Sequence, residues 1–160
     1  MGAMTTETAT PDAERILEEV TLPRAVVFVQ ADGDGVLRVE DLLLQAAGAQ
    51  QADRDDAEAL IEQVAAAMAK LDGTLLRFEL VALPSTTWKD LKKAHPPSPA
   101  QRRGGLDHDP DTFWPEALAE MLVAPAFTVE QVGRLGQRLS EGQWQRLVGT
   151  ALQLNLGGAK

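Results

Sequence analysis

A chain of 160 residues and 17.2 kDa, 44% apolar and 24% charged, is long enough to bury a sizeable core and too short for a large multidomain enzyme. Its formal net charge of -9 sets the overall field against nucleic acid and anionic lipid, and no window approaches the roughly 18 uninterrupted apolar residues of a bilayer span. Without cysteine there are no disulfides, thiolate metal sites or thiol nucleophiles, and without a signal-peptide layout at the N-terminus the expectation is a soluble cytoplasmic protein.

Residues 1–9 open with Met1-Gly2-Ala3 ahead of Met4, which reads as a leader left by expression followed by a disordered start. An α+β lobe is expected over 10–84. It begins with a helix to about Val20, with Thr10 as cap, Pro11 in the first turn and acids after it. Pro23 breaks that helix, and Arg24 to Gln30 is dense in β-branched and aromatic residues over the length of a buried strand. Asp32-Gly33-Asp34-Gly35 is a turn signal, and Val39 to Ala47 reads as a helix ending near Gly48. Asp53 can cap a helix from Arg54 to Leu71, whose Leu60, Ile61, Val64, Met68 and Leu71 share a face. Thr74 to Ala82 alternates, with Leu76, Phe78 and Leu80 opposite Arg77 and Glu79, as a half-buried strand does.

Beyond Pro84 the β signal disappears, and a helical lobe of about four short helices is expected over 85–156. Ser85 to His95 forms the first helix, ended by Pro96-Pro97. Residues 96–111 carry Pro, Gly, Arg and Asp with few apolar side chains, the composition of a mobile loop. A helix over Phe113 to Val123 follows, closed by Pro125. Thr128 with Gln131 and Ser140 with Gln143 make capping boxes for two more, and 157–160 should fray.

Several patterns test for chemistry. Gln30 to Asp41 lies close to an EF-hand calcium loop, with Asp32, Asp34 and Asp41 as candidate ligands and Gly35 at the sixth position. It departs at the first ligand, Gln30, at the shortened twelfth, Asp41, and in an incoming segment that reads as strand, so a strand-to-helix turn is favoured over a calcium module. Asp107, Asp109 and Asp111 around His108 have metal-ligand types, yet Pro110 favours an acidic turn. The stretch holding Lys89, Lys92, Lys93, His95, Arg102 and Arg103 is basic within an acidic chain and reads as a solvated face rather than an acidic-partner site. No phosphate loop, nucleophile elbow or apolar carboxylate pair is present, so no enzymatic activity and no cofactor are expected. Trp88, Trp114 and Trp144 each stand early in a helix and are read as packing together in the helical core, with room for one of them to edge a groove.

The order of motifs in the second half resembles a known family. Leu83-Pro84-Ser85-Thr86-Thr87-Trp88-Lys89-Asp90-Leu91 and His95-Pro96-Pro97 resemble the Trp-Leu-His-Pro-Pro signature of tail assembly chaperones from long-tailed (siphovirus-type) actinobacterial bacteriophages. Asp111-Thr112-Phe113-Trp114-Pro115-Glu116-Ala117-Leu118 resembles that family's acid-Thr-Phe-Pro helix, with Trp114 inserted, and Pro125 to Gln131 its Pro-x-x-Thr-x-Glu turn. The resemblance covers roughly Phe78 to Asn155. It implies a non-virion chaperone in the cytoplasm of the bacterial host, which keeps the tape-measure protein soluble until tail-tube protein polymerises around it. A longer frameshifted form accompanies the short one in such families, and self-association is a further expectation. The client surface expected on this basis is the apolar set Trp88, Leu91, Phe113, Trp114, Leu118 and Leu122.

Overall fold

In a computed structural model, residues 12–157 are described. The expected disordered segment 1–9, the Thr10-Pro11 start of the first helix and the fraying expected at 158–160 lie outside the described residues. The fold is α+β, with a three-stranded antiparallel sheet and eight helices among the described residues.

Helix α1 (Ala13–Glu19) is capped by Asp12, whose carboxylate accepts from the Arg15 amide at 2.8 Å. Strand β1 (Arg24–Gln30) pairs antiparallel with β2 (Leu75–Val81), placing Val27 opposite Phe78 and Ala25 opposite Leu80. These residues and Val29 form the buried face of the sheet. Val26 and Phe28 alternate onto the outer face and stay exposed.

Between the two strands the chain makes a helical hairpin, α2 (Gly33–Gln51) and α3 (Ala57–Asp72). Helix α2 starts earlier and ends later than its three glycines predict. Asp32 caps it by accepting from the Gly35 amide at 2.8 Å, and Gly48 faces open space inside it. The cap of α3 is Asp56 rather than Asp53, which sits in the connecting turn with φ of 52°. The hairpin encloses its own small core of Leu42, Ala46, Ala49, Leu60 and Val64. Its base is tied to the sheet by Gln30, whose side-chain amide donates to the Leu71 carbonyl at 3.0 Å and accepts from the Asp32 amide at 2.8 Å.

After β2 the chain is helical: α4 (Ser85–Ala94), α5 (Pro99–Arg103), α6 (Pro110–Met121), α7 (Val129–Arg138) and α8 (Glu141–Leu156). The capping boxes at Thr128–Gln131 and Ser140–Gln143 both form. Two features lack a counterpart in the sequence reading. Leu122–Ala124 leaves α6 to become β3, a third strand beside β2, ahead of a cis Ala124–Pro125 bond. The segment expected to be a mobile loop carries α5, with its own Ser98–Gln101 capping box.

The division at residue 84 does not divide the core. Val27, Val29, Phe78 and Leu80 of the sheet share one buried cluster with Trp88, Phe113, Leu118, Met121, Val132 and Leu147 of the helices. Three polar ties cross the same boundary. Asn155 of α8 accepts from the Leu83 amide at 2.8 Å, and α8 covers the outer edge of β1 as Gln143 donates to the Gln30 carbonyl at 2.9 Å and Arg146 to the Phe28 carbonyl at 3.3 Å. The physical partition is therefore a body of sheet plus C-terminal helices, from which the α2–α3 hairpin projects.

Candidate functional site

The six residues expected to form a client surface are interior. Phe113 and Leu118 are fully buried, Leu122 is 2% exposed, and Leu91, Trp88 and Trp114 are 6–7% exposed. They meet one another: Phe113 stacks edge-on against Trp88 at 5.2 Å and Trp114 at 5.0 Å between ring centroids, and Trp88 meets Trp114 at 6.1 Å. Assigning these residues to a docking surface is corrected on that ground, because side chains this buried cannot touch a partner without unfolding the body. The expected packing of the tryptophans as core describes Trp88 and Trp114, while Trp144 packs half-buried at the cluster's margin.

The calcium reading also fails on geometry. Twelve residues of an EF-hand wrap around the ion as a loop, but here Gln30 ends a strand and Gly33 to Asp41 is already helix. Asp32 is occupied as the helix cap, and Asp41 accepts from Gln45 one turn further on, at 2.7 Å. Gly35 has a different purpose from the sixth position of a calcium loop: a Cβ there would lie 2.4 Å from the Asp32 carboxylate and 3.1 Å from Leu71. Among the described residues no group of three or more His, Asp or Glu side chains converges as metal ligands would.

The His-Asp pattern around residue 108 is a clasp. Asp107 accepts from the Lys92 ammonium at 2.9 Å and lies 2.6 Å from His108, and hydrogen bonds from Lys92 and then His108 hold its pKa down at about 2. Asp109 caps α6 and accepts from Gln101 at 3.1 Å; that bond is the main cause of its lowered pKa. The imidazole of His108 lies 4.4 Å from the ring of Phe113, and His95 pairs with Glu116. The basic stretch is thus partly consumed internally, since Lys92 serves Asp107 and sits 5.3 Å over the Trp88 ring.

What remains available to a partner is the exposed apolar surface, and it lies mostly in the first half. Thirteen of the eighteen exposed large apolar side chains among the described residues precede Val81. On α2, Leu37 and Leu44 are seven residues apart, on the side of the helix away from the hairpin core, and are 65% and 75% exposed. Leu43 on α2 and Ile61 and Met68 on α3 are also exposed, and Phe28 with Val26 stands exposed on the sheet's outer face. The run Leu42-Leu43-Leu44 was the available signal, because three consecutive positions cannot all face one core from a helix. No helix among the described residues is long and apolar enough to cross a membrane.

No protein-family model, no curated protein and no solved structure matches the chain.

Proposed function

We propose that this chain is a tail assembly chaperone of a long-tailed phage, acting in the bacterial host's cytoplasm and absent from the mature virion. It binds apolar helical segments of the tape-measure protein without catalysing a reaction. The ordered motif series from Trp88 to Asn155 suggests the family. The observation that carries the reading is the pair of strongly exposed leucines, Leu37 and Leu44, on the face of α2 turned away from the hairpin core. Isolated exposed leucines are ordinary on a protein surface, but two of them a heptad apart on a projecting hairpin, with Glu40 and Asp41 between them, offer a client helix a pair of apolar anchors.

Such contacts are individually weak, and several chaperones along one long client give useful avidity. The net charge of -9 disperses the complex by like-charge repulsion while the client's apolar surface is covered. The Trp88–Phe113–Trp114 cluster takes a structural part in this reading: it fixes the body that carries the hairpin.

Co-expression with a leucine-rich helical fragment of a tape-measure protein tests it. The wild type should keep the fragment in the soluble fraction, and the Leu37→Glu/Leu44→Glu variant should lose that effect with an unchanged melting temperature. Equal solubilisation by the two proteins, or none by either, refutes the proposal.

A further inference from the structure

The outward face of α2 carries charge as well as leucine. Glu40 stands three residues after Leu37 and four before Leu44, and Asp41 four after and three before, so on a helix the two carboxylates flank the line joining the leucines, one on each side. Both acids are exposed, and neither has a cation within ion-pair distance among the described residues. Asp41 accepts from the neutral Gln45 side chain. The single basic residue of α2, Arg38, lines the cleft shared with α3.

The imbalance extends along the hairpin. Between Gly33 and Asp72 nine acidic residues stand against three basic ones, a net charge of -6 out of the chain's -9. Its one ion pair among the described residues is Arg54 with Asp56. A second copy presenting the same face, a nucleic acid or an anionic bilayer would each bring like charge against Glu40 and Asp41, whereas a cationic partner would be drawn in.

We infer that the α2 face takes a basic amphipathic helix. Apolar side chains seven residues apart on that helix seat on Leu37 and Leu44, which are about 10.5 Å apart along the axis, and Lys or Arg on both flanks of the row pair with Glu40 and Asp41. Coiled-coil seams are built the same way: the apolar row supplies the attraction and the flanking charges choose the partner. This choice of partner rests on the docking role proposed for α2 and narrows it to client segments that are basic as well as apolar. With both carboxylates exposed, the contact is weak and sensitive to salt.

Two synthetic helical peptides of about 21 residues, both with leucine at heptad spacing, one flanked by lysine and the other by glutamate, test this on the full chain. At about 0.15 M salt, where screening confines the comparison to charges within about 8 Å, fluorescence anisotropy should show the lysine peptide bound at least about tenfold more tightly than its glutamate twin. The Leu37→Ser/Leu44→Ser variant, with every acid in place, should lose the lysine peptide, and the Glu40→Lys/Asp41→Lys variant should lose the preference for it. Both variants should keep the wild-type circular dichroism, because the four side chains are exposed. Retention of the lysine peptide by the serine variant would reveal generic attraction to an acidic chain, and a preference that survives in Glu40→Lys/Asp41→Lys would locate the selection elsewhere; either result overturns the proposal. So does a wild type that self-associates through this face, seen as a sedimentation mass above 17.2 kDa that the serine variant abolishes. Equal binding of the two peptides by the wild type overturns the charge selection and leaves α2 as a docking face. Binding of neither overturns the proposal too, and the solubilisation of a tape-measure fragment, measured separately, then decides the wider reading.

Discussion

Trp114→Ala separates an interior role for the aromatic cluster from a role in docking. Trp114 is 7% exposed and meets Phe113, Trp88 and His108 edge-on at 5.0, 6.1 and 6.2 Å. Truncating a buried tryptophan removes its transfer free energy and leaves a cavity, together about 3–5 kcal/mol. The neighbours here are themselves rings held by one another, so collapse into the space is restricted and the upper half of that range applies. Set against a total stability of about 5–15 kcal/mol, the variant should remain folded at room temperature but with a thin margin. For a chain of this length each kcal/mol corresponds to roughly 2–4 °C, which puts the fall in melting temperature at about 8–20 °C. Thermal and urea unfolding followed by circular dichroism read it directly, and the urea midpoint should move with little change in slope. Leu44→Ser serves as the control, since a 75% exposed side chain should shift stability by no more than about 0.5 kcal/mol. If Trp114→Ala melts within about 1 kcal/mol of wild type yet loses its client, the residue belongs to a surface and the packing argument is refuted.

Asn155→Ala should cost about 1–3 kcal/mol, because it strips the Leu83 amide of its acceptor, and Asn155→Asp should also destabilise, because it keeps that acceptor but puts an oxygen against the Ala151 carbonyl in place of the donor; chemical denaturation of the two variants checks both. Asp107 is held at about 2 against an ordinary 3.8, so its stabilising effect is fully present above pH 4 and is lost as pH falls from there toward 2. Asp107→Asn should flatten that acid limb in a stability-versus-pH profile; the effect is small, since the carboxylate is 66% exposed and solvent screens it. Gln30→Asp brings the sequence closer to a calcium loop, yet it should destabilise by about 1–3 kcal/mol by removing the donor to Leu71 at the hairpin base. Millimolar calcium should then leave the melting temperature of wild type and variant unchanged, and a calcium-dependent rise in either would contradict the helical geometry of residues 33–41.

Element types were legible wherever a local rule acts alone. A dense run of β-branched and aromatic residues gave β1, period-two alternation gave β2, the Thr128 and Ser140 capping boxes gave the starts of α7 and α8, and Pro96-Pro97 gave the end of α4. The failures occurred where a long-range contact overrides composition. Gly33, Gly35 and Gly48 read as breakers, but the Asp32 cap and the hairpin core hold α2 through all three. Leu122–Ala124 reads as the end of a helix and is a strand because β2 offers it an edge. The 96–111 segment reads as a linker because its anchors, Lys92 to Asp107 and Gln101 to Asp109, are polar pairs that no hydropathy pattern records. The misplaced docking surface has the same root. Large apolar side chains in a row declare that they need cover, not whether cover comes from the chain itself or from a partner. Trp88, Phe113 and Trp114 obtain it from one another and from the sheet, whereas Leu37 and Leu44 are turned outward because Val39, Leu42 and Ala46 already occupy the buried side of the same helix. A helix has only one side for its hairpin partner, so the exposed leucines on the other side of α2 are surplus to folding, and surplus apolar surface is where the search for a client should begin.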